Sequence, residues 1–204
     1  MPDSATILDL VIGTHNRKKG RELAELLAPW GFRVTTLEEI PNAIEVLEDG
    51  DSFAANAALK ATLQAKHLTR WVLADDSGIE VDALSGAPGV YSARFAGPHA
   101  TDADNNRLLL EKLGDLPPES RTARYVCHVT VADPTGVVRA ESHGTCRGRI
   151  RREAAGTNGF GYDPYFEVVE YHRTFGELGP TVKSVLSHRS RALRGILPQL
   201  VALV

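Results

Sequence analysis

The apolar positions along the chain change period several times, and each change marks an element. Leu10-Val11-Ile12-Gly13 is a short continuous apolar run that predicts a buried strand. From Arg17 to Trp30 the spacing of Leu23, Leu26, Leu27 and Trp30 is helical, and Gly31 is placed to end that helix. Phe32 to Thr36 predicts a second strand. Ser52 can cap a helix that continues through Ala-rich sequence to about Leu68. Trp71-Val72-Leu73-Ala74 predicts a strand that ends in a turn at Asp75-Asp76-Ser77-Gly78, with Ile79 to Leu84 as a further strand. Thr101 with Asp104 marks a helix start, continued by Leu108, Leu109, Leu110 and Leu113. Over residues 124–132 the pattern alternates, with Tyr125, Cys127, Val129 and Val131 on one face and Arg124, His128 and Thr130 on the other. Asp133-Pro134-Thr135-Gly136 is a turn, so Val137 to Cys146 reads as the returning strand of a hairpin. From Ser187 onward Leu193, Ile196, Leu197 and Leu200 share one side of a helix that Pro198 is expected to kink or interrupt.

The sum is an α/β fold with a mixed sheet and flanking helices. At 204 residues, 43% of them hydrophobic, the chain suits one large domain or one domain of two lobes. The net charge of −3 supplies no general basic field for a nucleic-acid backbone, which leaves small phosphate ligands open because they need only local charge. Two cysteines, Cys127 and Cys146, are too few and too far apart for a zinc site or disulfide framework, and read as buried thiols in a reducing compartment. No apolar run is long enough to span a membrane. Met1-Pro2-Asp3-Ser4 carries an acid where a secretory leader would carry bases, so the expected compartment is the cytoplasm.

Five segments could carry chemistry. Thr14-His15-Asn16-Arg17-Lys18-Lys19-Gly20 lies between a strand end and a helix start, where free N–H groups and adjoining cations favour an anion; it lacks Walker A spacing, and taken alone it reads better as a polar loop with a solvated basic turn. Glu48-Asp49-Gly50-Asp51 precedes the helix carrying Asn56 and Lys60, which are four apart and share a face. Asp75-Asp76 adds two more carboxylates, and hard oxygen donors with phosphate oxygens and water are what Mg²⁺ requires. Singly, each acidic run is equally a turn or a cap. Gly156 to Pro164 combines glycines, which let backbone approach a ligand, with Phe160 and Tyr162, on which a base could stack; it is also an ordinary structural loop. Lys183-Ser184-Val185-Leu186-Ser187-His188-Arg189 sets cations around a helix start, where plain capping is the alternative.

In this order the segments resemble the Ham1-type inosine triphosphate pyrophosphatase family, from about Val11 to Leu197. The most specific pieces are Ala74-Asp75-Asp76-Ser77-Gly78, Gly86-Ala87-Pro88-Gly89-Val90-Tyr91-Ser92-Ala93-Arg94, Gly159-Phe160-Gly161-Tyr162-Asp163-Pro164 and Ser187-His188-Arg189. The resemblance implies an elongated two-lobed domain over the whole chain, with the nucleotide in a cleft between lobes, and a homodimer. It implies hydrolysis of ITP, dITP and XTP to the monophosphate and pyrophosphate, which clears deaminated purines from the nucleotide pool. By position, Thr14, Asn16 and Lys19 would hold the triphosphate, with His15, Arg17 and Lys18 in the same loop. Glu48 and Asp76 would bind Mg²⁺, Asp76 would accept a proton, and Lys60 would support the phosphates. Ser77, Phe160, Gly161, Tyr162, Asp163, Lys183, His188 and Arg189 would surround the nucleoside. His15, Ala55 and Asn158 depart from the family's usual residues and bear on affinity or selectivity. Two other readings are a Maf-type nucleotide pyrophosphatase and a silent nucleotide sensor; the aromatic loop and His188-Arg189 favour the inosine type over the first, and the carboxylates Glu48 and Asp76 speak against the second.

Overall fold

A computed structural model describes residues 8–203. The N-terminal reading at Met1 to Ser4 lies outside the described residues. Seven strands form one mixed sheet in the order β2-β1-β3-β4-β5-β6-β7. Strand β1 (Asp9–Ile12) lies parallel to β2 (Arg33–Thr36) and to β3 (Trp71–Val81), as expected when helices connect them. Strands β4 (Thr122–Ala132) and β5 (Val138–Ile150) follow, and β5 pairs antiparallel with the short β6 (Phe166–Val168), itself antiparallel to β7 (Arg173–Thr174).

Helix α1 (Arg17–Leu27) is capped by Asn16 and buries Leu23 and Leu27 fully. Each such leucine contributes about 1.5–3 kcal/mol by leaving water. The expected continuation to Trp30 is a 3-10 turn instead, because Pro29 cannot donate within an α-helix; Gly31, at φ 77°, ends it, and Trp30 stays exposed. Helix α2 (Phe53–Leu68) starts at Ser52, whose hydroxyl accepts from Ala55 N at 3.2 Å. Helix α3 (Asp102–Leu113) begins with a reciprocal capping box between Thr101 and Asp104. Helix α4 (Pro180–Leu186) opens on a proline, where no N–H is needed. Helix α5 (His188–Val201) runs through Pro198 to Val201, so that proline does not end it.

The largest departure from the sequence pattern is β3. The turn expected at Asp75-Asp76-Ser77-Gly78 is absent, and an eleven-residue strand runs straight through it; only Asp82–Leu84 forms a turn. Polar and glycine residues read as punctuation, but here buried partners take up each of them. Gly78 is required by close packing, since a Cβ there would fall 2.3 Å from Ser92 Oγ and 2.6 Å from Gly89 O.

The chain divides into two compact units. The first comprises residues 8–76, 127–144 and 191–203 of those described. Its core joins Leu10, Ile12, Leu23 and Leu27 to Val129, Val131, Leu193 and Ile196, with a second cluster around Val11, Ala61 and Val72. The second comprises residues 77–126 and 145–190, and packs Ile79, Leu109, Tyr125, Phe166 and Phe175 together. Phe166 lies 4.6 Å from the Tyr125 ring and 5.5 Å from that of Phe175. Both cysteines are buried, and neither forms a disulfide among the described residues. Among the described residues no helix is long and apolar enough to cross a membrane.

The β4–β5 turn is held by Asp133, which accepts from the Thr135 hydroxyl at 2.6 Å, from Arg139 at 2.6 Å, and from the backbone N–H of Thr135 and Val137. The Thr135 hydroxyl, then Arg139 and the two N–H groups, hold this carboxyl well below its ordinary 3.8 against the opposing effect of burial. A depressed carboxyl adds stability that is present above its ordinary value and lost as pH falls through the depressed one. Asp133→Asn is expected to lower Tm by several degrees at neutral pH, and thermal melts should show the gap to wild type closing on acidification below pH 3.8.

Candidate active site

In the first unit the polar residues converge on Lys60. Helix α2 carries Asn56 and Lys60 one turn apart, and the two meet the same carboxylate. Lys60 Nζ lies 3.2 Å from Asp76 Oδ1 and 3.2 Å from Glu48 Oε2, while Asn56 Nδ2 donates to Asp76 Oδ2 at 3.3 Å. The Asn56 carbonyl oxygen accepts from Gly50 N at 2.9 Å, which ties the acidic loop to α2. Asn56, Lys60 and Asp76 are buried, and Glu48 is partly open to solvent.

Adjacent residues of a strand point to opposite faces. Asp76 therefore meets Lys60 and Asn56, whereas Asp75, fully buried, accepts from the Cys127 thiol at 3.8 Å. The two adjacent aspartates thus face different partners. Burial pushes the Lys60 ammonium down, but Asp76, Asp75 and Glu48 outweigh it, so its affinity for a proton ends above the ordinary lysine value. Burial pushes the Asp76 carboxyl up; Lys60 and Lys19 pull it down, Glu48 and Asp75 push it up, and the balance is a raised value. Three carboxylates against two ammoniums is a set with negative charge in excess. A hard divalent cation would relieve it, and Glu48 and Asp76 are hard oxygen donors already directed at one cation. Among the described residues no group of three or more His, Cys, Asp or Glu is gathered for a metal.

The phosphate-loop residues do not all act alike. Asn16 Oδ1 accepts from the N–H groups of Lys18 and Lys19, each at 3.1 Å, and Thr14 Oγ accepts from Asn16 N at 3.2 Å. Asn16 is thus a helix cap, and Lys19 acts on Asp76 through its charge. His15 Nε2 contacts Ile44 O at 2.9 Å, Arg17 pairs with Glu38 on an exposed face, and Lys18 is exposed.

In the second unit Asp163 is the hub. It accepts from Lys183 Nζ at 2.7 Å, from Tyr125 Oη at 3.1 Å and from Phe160 N at 2.9 Å. Lys183 Nζ lies 4.7 Å from the centre of the Phe160 ring, and Tyr125 stacks on His188 at 4.6 Å and 9°. A Cβ at Gly159, where φ is 76°, would fall 2.0 Å from Asp163 Oδ2, so only glycine fits. Arg189, almost fully buried, donates to Ser77 Oγ at 2.9 Å. Tyr162 belongs to the core: its hydroxyl donates to Ser92 O at 2.8 Å, and burial raises its pKa.

Sequence reasoning missed the support for this loop. Gly161 donates its N–H to Asp102 Oδ2 at 3.0 Å and accepts from Asn106 Nδ2 at 2.9 Å, so the first turn of α3 holds both of its backbone polar groups. The signal was present as a polar pair four residues apart on a helix. Tyr125 was visible only as one position of an alternating strand.

A model of the Ham1 family matches residues 10–199. The chain belongs to the Ham1 family. A relative named dITP/XTP pyrophosphatase from Rhodopirellula baltica is 59% identical over 198 residues, 97% of this chain and 95% of that protein. Another of that name from Desulforamulus reducens is 50% identical over 92% of each chain. The solved Ham1 protein of Coxiella burnetii has a TM-score of 0.86 at 36% identity, covering 97% of this chain and 100% of that one. A nucleoside-triphosphatase / dITP/XTP pyrophosphatase structure from Mycobacterium abscessus gives 0.74 at 42% identity, over 94% and 100%. The Ham1 motifs thus acquire physical reasons here, with Gly78, Ser92 and Tyr162 packing as one set and Gly159, Asp163 and Lys183 as another.

Asn56→Ala would leave the partly buried Gly50 N and the buried Asp76 Oδ2 each short of a partner. It is expected to cost about 1–3 kcal/mol, or roughly 3–8 °C in Tm, in thermal melts.

Proposed function

We propose that this protein hydrolyses non-canonical purine nucleoside triphosphates (ITP, dITP and XTP) to the monophosphate and pyrophosphate, with Mg²⁺. The observation that carries the reading is Lys60 held between Glu48 and Asp76 in a chain of the Ham1 family. Thr14, Asn16 and Lys19 hold the phosphates, with His15, Arg17 and Lys18 contributing the loop's shape and positive charge. Ser77, Phe160, Gly161, Tyr162, Asp163, Lys183, His188 and Arg189 serve the nucleoside, Tyr162 by anchoring the loop and Arg189 by direct contact. The chain works as one domain made of two units, as a homodimer in the cytoplasm.

Glu48 and Asp76 fit Mg²⁺ by donor type and by their excess charge. When bound, the ion screens the triphosphate's charge and polarises a phosphoryl oxygen. Asp76, whose basicity burial and neighbouring carboxylates raise in the metal-free protein, accepts the proton of the attacking water. Lys60, kept protonated by the same carboxylates, offsets charge growing on the departing pyrophosphate. The Arg189 guanidinium supplies only donors. It pairs with the 6-carbonyl of hypoxanthine or xanthine and meets the 6-amine of adenine donor to donor.

Product analysis tests the reading: ITP and XTP should give monophosphate and pyrophosphate with Mg²⁺ and little with chelator, and ATP should give little in either case. Orthophosphate release would mean that a different bond is cut. Asp76→Asn is expected to fold, with Glu48 and Asp75 still balancing Lys60 at some cost in Tm, and to lose at least about two orders of magnitude in kcat. Arg189→Ala should narrow the ITP-over-ATP ratio of kcat/KM at least about tenfold; an unchanged ratio would refute its role.

A further inference from the structure

The second unit contains a cavity of about 330 Å³ where β5 ends, lined by Arg121, Arg149, Arg151, Arg152, Glu153 and Glu167 among others. Two of its arginines are neutralised. Arg149 bonds Glu167 at 2.6 Å, and Arg151 approaches Glu167 at 3.8 Å and Glu177 at 3.3 Å. The other two are not. Arg121, 1% exposed, donates from Nε to Ile150 O at 2.8 Å and from Nη1 to Gly114 O at 3.0 Å. Arg152 donates from Nη2 to Asp115 O at 2.9 Å and Leu116 O at 3.3 Å. Their acceptors are backbone carbonyls alone, and among the described residues no carboxylate comes within ion-pair distance of either. Glu153 lines the wall without pairing to them.

Three of those carbonyls, on Gly114, Asp115 and Leu116, lie just beyond α3, so the arginines also tie the strand ends to a helix terminus of negative polarity. That role leaves donors unused, since a guanidinium carries five N–H groups and Arg121 spends Nε and Nη1 only. Burial and the neighbouring Arg152 both make the Arg121 charge harder to hold. An anion in the cavity would offset that penalty at Arg121 and pair with Arg152 as well. Their planar forks match phosphate oxygens two at a time, and the volume sits at the small end of the range for small-molecule sites, about 300–1,000 Å³.

We propose that this cavity is a second anion site, distinct from the Lys60 centre, that takes a phosphate-bearing small molecule between Arg121 and Arg152. The site is independent of the hydrolytic reading and stands or falls separately from it.

Calorimetric titration of the full chain with inorganic pyrophosphate, without divalent cation, tests it. Arg152→Gln should remove one pyrophosphate per chain or weaken it at least about tenfold, while ITP turnover stays at the wild-type rate. Arg121→Lys keeps the charge, loses the fork and should weaken binding in the same direction, with its melt checked for folding. Malonate, a dicarboxylate, should bind this cavity far less well. Unchanged stoichiometry and affinity in Arg152→Gln, or equal binding of malonate, would overturn the proposal. Failure of ITP turnover in the wild type would count against the hydrolytic reading and leave this result untouched.

Discussion

A buried ammonium held by carboxylates organises the first unit. Lys60 sits 3.2 Å from both Glu48 and Asp76, and Asn56, one turn away on α2, binds the other oxygen of Asp76 and the backbone of the acidic loop. Loop, helix and central strand are thus tied at one point. Removing one member of such a buried set leaves its partner's charge uncompensated, which is costly, so the arrangement also fixes register. The same balance tunes the chemistry: with carboxylates in excess, Lys60 stays charged and Asp76 becomes more basic.

The second unit depends on a comparable hub with the sign reversed. Asp163 gathers Lys183, Tyr125 and the N–H of Phe160, and a glycine at position 159 makes room for it. Around it the aromatic loop is tethered to α3 through Asp102 and Asn106. A glycine-rich loop would otherwise be mobile; these bonds convert its permissive backbone into a defined shape. Rigid support of this kind is what selective binding of a planar base needs.

Much of this was legible in the sequence because local signals agreed with tertiary ones. Ser52 and Thr101 cap the helices they precede, and the alternation through Tyr125, Cys127, Val129 and Val131 matches a buried strand face. The resemblance implies Lys60 for the phosphates and Glu48 and Asp76 for Mg²⁺; that the three side chains meet one another is a finding of the structure. Three features were hidden. The run Asp75-Asp76-Ser77-Gly78 looks like a turn because its partners Lys60, Cys127, Ser92 and Arg189 are distant in sequence. Tyr162 looks like a stacking face yet spends its hydroxyl on Ser92. Arg121 and Arg152 lie in no motif, and only folding shows that among the described residues their acceptors are backbone carbonyls.

The most direct test of this account is a carbon NMR titration of the Asp76 carboxyl in the metal-free protein, alone and in Lys60→Gln. The account predicts a titration above the ordinary 3.8 in wild type and higher still once Lys60 is gone. A wild-type value at or below 3.8, or one that Lys60→Gln leaves unmoved, would contradict it.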